Sequence, residues 1–183
     1  MRPRASAFIA TSLDGFIARP DGSLDWLDDA QALIPEGEDC GYLEFMASID
    51  GLVMGRHTFE RVLSFDPWPY GNTPVFVMSQ APVAIPIALS KSVHSVQSTP
   101  KSLVARLGRD AFRHLYVDGG QTIQGFLHAG LLDDITVTVI PVLLGAGRPL
   151  FGPLDRDVEL TLMRSRAYEF GFVQSTYRID VAD

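Results

Sequence analysis

Cysteine is the scarcest chemistry in this 183-residue chain, where Cys40 stands alone. One thiol rules out an internal disulfide and any cysteine-rich zinc site, and it suits a reducing compartment. Cys40 itself reads as a small buried side chain rather than a nucleophile. Basic residues are also short: 15 Lys and Arg stand against 22 Asp and Glu, for a net charge of −7. A nucleic-acid backbone is held by clustered cations, so no such partner is expected. No apolar run reaches the length of a membrane span, and the longest, near Ile135–Leu144, is broken by Thr and Pro. The opening MRPRASAFIATSLDG carries two arginines, but its apolar portion stops at Asp14, too early for a secretory signal. A cytoplasmic location is therefore the expectation. Four histidines, His57, His94, His114 and His128, show no paired spacing with carboxylates on one face, so no metal site is expected.

What is present is 46% apolar and 20% charged residues, the composition of a globular protein, at a length that fits one domain over 1–183. Ala5–Thr11 is a short apolar strand ended by Asp14-Gly15, and Phe16-Ile17-Ala18 continues it before Pro20-Asp21-Gly22 turns the chain. Glu38–Ser48 places Tyr42, Phe45 and Met46 on one helical face, with acidic residues at its start where they suit the dipole. Leu52–Met54 is a second strand closed by Gly55, and Arg56-His57-Thr58 opens a helix. After the loop Asp66–Pro74 come strands at Val75–Ser79 and Val93–Val96, then a short helix at Ser102–Leu107. A further strand, His114–Asp118, runs into Gly119-Gly120 and a helix at Thr122–Ala129.

That second strand-glycine-helix unit is the chain's clearest signal. Gly119-Gly120 lets the backbone turn tightly in front of a helix whose first N–H groups lack partners, which makes either a plain connection or a seat for phosphate. Asp134–Val142 then alternates Ile135, Val137 and Val139 against Thr136 and Thr138, the pattern of a half-buried strand. Glu159–Tyr168 and Phe172–Ile179 flank Glu169-Phe170-Gly171 as a terminal hairpin. Interleaved strands and helices followed by a hairpin predict an α/β fold whose mixed sheet is mainly parallel, with antiparallel strands added at one edge. The hairpin and the apolar strand from Ile135 invite pairing across a two-fold axis, so a homodimer is expected. Asp28-Asp29 and Asp133-Asp134 read as solvated loop charges, and His114 and His128 as surface or helix-end residues.

Val53–Glu60, VMGRHTFE, resembles the VMGRxTWE stretch of bacterial dihydrofolate reductases. A strand ending in Met78-Ser79 and the Gly119-Gly120 turn follow in the same order. Leu131–Phe151, LLDDITVTVIPVLLGAGRPLF, with Ser165-Arg166 beyond it, is similar instead to the reductase domain of bacterial riboflavin biosynthesis and its stand-alone relatives. The resemblance implies a three-layer fold like dihydrofolate reductase and hydride transfer from NADPH to a small nitrogen heterocycle or a related carbonyl or imine compound. The substrate would be the ribosylamino-pyrimidine phosphate of riboflavin synthesis if the chain serves that pathway. Dihydrofolate reduction is the alternative enzyme, and a non-catalytic NADP(H) sensor is the alternative of another class.

By the same resemblance, Gly55, Arg56, His57 and Thr58 would contact cofactor phosphates, and Ser79 and Gln80 would meet the adenosine. Gly119, Gly120, Gln121, Thr122 and Ile123 would complete the pyrophosphate seat, while Ala10, Gly15 and Ile17 would lie beside the nicotinamide. Two departures stand out: Asp118 occupies a position where dihydrofolate reductases often carry glycine, and Gln121 one where some carry Arg. The preference for NADPH over NADH thus leans on Arg56. Asp39 falls where dihydrofolate reductases keep a substrate carboxylate, which would make it catalytic, or else only a partner of its helix dipole. Trp26 and Tyr42, with Phe45 and Trp68, would stack on a planar substrate or simply be core. Arg148, behind Gly145-Ala146-Gly147, would bind a substrate phosphate, or else be a surface charge or an intersubunit contact.

Overall fold

The computed structural model describes residues 1–180, so the last three residues of the expected domain lie outside it. In chain order its elements are β1 (Arg4–Ser12), β2 (Phe16–Ala18), α1 (Asp25–Gln31), α2 (Tyr42–Ala47), β3 (Gly51–Gly55), α3 (Arg56–Val62), β4 (Val75–Met78) and β5 (Val93–Val96). Then come α4 (Pro100–Arg109), β6 (His114–Asp118), α5 (Gly120–His128), β7 (Asp134–Ile140), β8 (Arg148–Pro149), β9 (Leu160–Ala167) and β10 (Val173–Ile179). One eight-stranded sheet runs β5-β4-β3-β6-β1-β7-β10-β9, while β2 and β8 form a separate two-stranded ribbon. Pairing is parallel from β5 to β7, and β10 and β9 add antiparallel at one edge. The mainly parallel mixed sheet is as the sequence predicts.

Both faces of the sheet are covered, which is why its central strands are almost continuously apolar. On one face α4 and α5 bury Leu103, Val104, Leu107, Ile123 and Phe126 against Ala5, Ala7, Val53, Leu115, Val117 and Ile135. The start of α4 is set by its own sequence: Thr99 accepts the Ser102 N–H and Pro100 stands in the first turn. On the other face Phe59 and Val62 of α3 and Tyr42, Phe45 and Met46 of α2 pack on Leu52, Met54, Val75, Val77 and Tyr116. A third cluster gathers Trp26 and Ala30 of α1 with Cys40, Ile140, Tyr168 and Phe172. No helix among the described residues is long and apolar enough to cross a membrane.

Four local expectations need correction. The helix predicted from Glu38 begins only at Tyr42, because Cys40 and Gly41 take positive φ (54° and 81°) and turn the chain first. Helix α1 has no counterpart in the sequence reading; its one turn of acidic residues hides the buried Trp26 and Ala30. In β7 the threonines are the more deeply covered set. Thr138 accepts from Gln174 Nε2, which also donates to the Cys40 carbonyl, and Thr136 is hydrogen-bonded to Thr176, so their hydroxyls are satisfied inside. Asp134 and His114 are likewise not surface residues. Ser6 Oγ lies 2.7 Å from His114 Nε2 and 2.9 Å from Asp134 Oδ2, tying β6, β1 and β7 at the amino end of the sheet, and Arg4 pairs with Asp134.

Candidate functional site

The sheet is split at its carboxyl edge. Strand β1 pairs with β7 from Ser6↔Asp134 to Ser12↔Ile140, but with β6 only as far as Ser6↔Tyr116. Beyond that pair β1 and β6 part. The Tyr116 hydroxyl, not a backbone N–H, now reaches the Phe8 carbonyl, at 2.9 Å. A crevice between parted parallel strands at their carboxyl ends is where α/β sheets receive ligands. Phe8 and Ala10 flank it on one side and Asp118-Gly119 on the other.

Two glycine turns guard its mouth and interlock. A Cβ on Gly119 would sit 2.2 Å from Thr58 Oγ1, and one on Gly55 would sit 3.1 Å from Thr122 Oγ1. Each unit thus presses the threonine of its helix against the glycine of the other. Gly119 also takes φ 87°, a conformation that L side chains rarely adopt. Across Gly120 lie Ile17 Cδ1, 2.9 Å from where its Cβ would be, and the Pro149 carbonyl at 3.2 Å, so the β2–β8 ribbon closes over the start of α5. Neither α3 nor α5 has a side-chain N-cap, which leaves first-turn N–H groups unpaired beside the crevice.

Inside stands a carboxyl group that the sequence reading passed over. Asp118 ends β6 and is only partly exposed; burial pushes its pKa up to about 6, against the pull of the Gly119 N–H at 2.8 Å and the nearby hydroxyls of Tyr116 and Tyr70. Burial, with Asp118 beside it, pushes Tyr42 up to about 12, and Tyr70 and Tyr116 also shift upward. All three phenols therefore stay neutral around a carboxyl that titrates near neutrality. The available signal was a charged residue closing the apolar run Leu115–Val117 directly before a glycine pair.

Several expected site residues are placed elsewhere or otherwise engaged. Asp39 does not lie in a helix: its oxygens accept the Gly41 and Leu43 N–H groups at 2.8 and 2.7 Å, capping α2, and these bonds lower its pKa. A carboxylate so held is a poor proton donor. Ile123 is fully buried in the core and donates its N–H to the Gly119 carbonyl, so nothing of it but shape is left for a ligand. Arg56 donates to Glu60 at 2.6 Å within its own helix. His57 and Gln121 are exposed, and Ser79 and Gln80 stand at the end of β4, with Gln97 Nε2 donating to the Gln80 carbonyl. Gly15 lies in the turn joining β1 to β2, its carbonyl accepting the Leu150 N–H. Tyr42 meets Phe8 edge-on at 5.8 Å. Trp26 is buried in the α1 cluster with Ala10 at its margin, and its indole N–H has no partner among the described residues. Arg148 belongs to β8 and lines a cleft with His57 and Arg61.

The model of the RibD C-terminal domain family matches residues 5–173. A solved chain from Shewanella sp. PV-4, provisionally named as a riboflavin biosynthesis protein, is 41% identical, with a TM-score of 0.90 over 98% of this chain and 99% of that one. The uncharacterized protein YwjB of Bacillus subtilis (strain 168) is 33% identical over 171 residues, 92% of this chain and 94% of the relative. The likeness in fold extends to two more distant structures. The Thermotoga maritima diaminohydroxyphosphoribosylaminopyrimidine deaminase/5-amino-6-(5-phosphoribosylamino)uracil reductase is 16% identical, with a TM-score of 0.71 over 98% of this chain and 57% of that one. Dihydrofolate reductase from Enterococcus faecalis, complexed with NADP(H), is 18% identical, with a TM-score of 0.62 over 97% and 96%.

Proposed function

The chain belongs to the RibD C-terminal domain family, and from that premise we propose that it is an NADPH-dependent reductase of a small nitrogen heterocycle. The substrate class is a ribosylamino-pyrimidine phosphate or a close imine or carbonyl relative. The observation that carries this reading is the split between β1 and β6, with glycine turns at its mouth and Asp118 inside.

The residues present fit a dinucleotide. The uncapped starts of α3 and α5 supply N–H donors for its diphosphate, from Gly55 to Thr58 and from Gly120 to Thr122. The side-chain-free faces of Gly55, Gly119 and Gly120 let backbone approach closely. Ala10, Gly15 and Ile17 flank the nicotinamide end, and Ser79 and Gln80 the adenosine end. When bound, reduced nicotinamide supplies a hydride. Asp118 supplies the balancing proton to the substrate atom adjoining the one that receives the hydride, since its raised pKa keeps a protonated fraction near neutrality. Tyr42 and the unpaired indole N–H of Trp26 lie on the same face of the sheet and serve to orient a planar, hydrogen-bonding substrate. The dihydrofolate alternative leaned on Asp39, whose oxygens are committed to capping α2.

The reading includes a homodimer. Val173, Leu162 and Met163 of the hairpin are 43%, 55% and 59% exposed, and β9 leaves one edge of the sheet unpaired.

Titrating NADPH against tryptophan fluorescence, then following loss of reduced-nicotinamide absorbance with candidate pyrimidines, tests the function. Binding with turnover of a ribosylamino-pyrimidine phosphate is the expected result. Binding without oxidation by any candidate favours the sensor, and no binding at all removes the redox role.

A further inference from the structure

Charge is unevenly divided around the crevice. Between Arg19 and Arg56 the chain carries nine carboxylates and no Lys, Arg or His, and between Arg61 and Lys91 it again carries no basic residue. The first stretch holds α1 and α2, and the second holds the loop 66–74 with Tyr70. These elements bring Trp26, Tyr42 and Tyr70 to the place assigned to the substrate. The cations near the mouth stand with the other ligand. Arg56, His57 and Arg61 belong to α3, whose start is one of the two diphosphate seats, and Arg148 shares a cleft with His57 and Arg61.

Two cations reach the acidic stretch from outside it, and both are already paired. Arg19 holds Asp25 at 2.7 Å, and Arg166 of β9 holds Glu38 at 3.1 Å. Asp28 and Asp29 on α1, Glu36 between the helices and Glu44 on α2 are exposed, with no cation within salt-bridge distance among the described residues. Carboxylates of one sign without counter-charges add their potentials at the crevice instead of cancelling them. A phosphate monoester, with a charge of about −1.5 to −2 near neutrality, meets that potential at its worst.

Inside, the polar groups of the same wall are neutral. Trp26 is 4% exposed, and its indole N–H has no partner among the described residues. Burial keeps the Tyr42 phenol protonated. A buried donor left unpaired is costly until an acceptor arrives, so the carbonyl or ring nitrogen of a ligand answers it.

We infer that the acidic α1–α2 wall makes this protein select a neutral or cationic planar heterocycle without a phosphate. Of the two forms of a ribosylamino-pyrimidine, the phosphate-free one is then the better substrate and the 5-phosphate the poorer. The inference rests on the reductase reading for the place of the ring.

Calorimetry with a ribosylamino-pyrimidine and its 5-phosphate, on the NADPH-saturated protein at low and high salt, tests the selection. The variant D28N/D29N/E44Q, which removes three exposed charges, is measured beside the wild type, with Tm recorded for both. The wild type is expected to bind the phosphate-free form about fivefold or more tighter at low salt, and kcat/KM should follow the same order. High salt and the triple variant should each narrow the gap, by strengthening the binding of the phosphate alone. Equal or tighter binding of the phosphate at low salt overturns the inference, as does a gap that neither salt nor the variant moves. Should the protein ignore NADPH yet still separate the two probes by charge, the reductase reading falls and the selection stands. Binding of neither probe overturns both. A drop in Tm of the triple variant moves the decision to the salt dependence of the wild type.

Discussion

On the proposed mechanism, Asp118 couples activity and stability to one titration. Its folded pKa of about 6 lies above the ordinary 3.8, so the folded state binds the proton more tightly, and the stability this provides is lost as pH rises through 6. D118N, which cannot ionise, should therefore gain on the wild type as pH rises from about 4 and level off above pH 6 at about 2 to 3 kcal/mol, and urea melts at several pH values would show it. The same substitution should lower kcat by about 10²-fold or more and abolish the fall in wild-type kcat above pH 6. Gly119 is the other residue where a single atom decides. Between the contact with Thr58 and φ of 87°, G119A should cost about 2 to 5 kcal/mol. Adding T58A should recover the contact share alone, leaving the backbone share visible in a denaturant titration.

Among the elements, α2 shows how a wrong boundary misassigns a residue. The apolar spacing of Tyr42, Phe45 and Met46 was legible and those side chains do share a packed face, but nothing in the sequence announces that Cys40 and Gly41 reverse the backbone in front of them. The acidic residues taken for a first helical turn are thus turn residues, and Asp39 caps from outside. D39A should accordingly cost about 1 kcal/mol in thermal melts while leaving kcat within twofold. Strands were easier. Val75–Met78, His114–Asp118 and the hairpin are marked by apolar runs between turn residues, and a strand's period survives small errors at its ends. The parting of β1 from β6 was not legible, since Ala5–Thr11 reads as one uniform apolar strand and only its unequal pairing with two neighbours opens the crevice. Likewise, the mutual fit of Gly55 with Thr122 and Gly119 with Thr58 joins residues more than sixty positions apart, which local patterns cannot reveal.

For the whole molecule, the uneven cover of the sheet is what the proposed dimer rests on. Ile135 and Ile179 join the cluster under α4 and α5, but Val137 and Val139 remain half-buried and Val173 and Leu162 are exposed. Sedimentation at micromolar concentration should give a dimer, and V173E with L162E together should give a folded monomer. A wild-type monomer there would leave this face without the partner assigned to it. The arrangement of strands has one more result, which concerns synthesis. Strand β1 is made well before its sheet neighbours, which begin only at His114 and Asp134. The central rail of the architecture must wait, unsheltered on both flanks, until translation has passed β6 and β7. Its Ala-Phe-Ile-Ala stretch is then the segment for which a chaperone competes with the native fold.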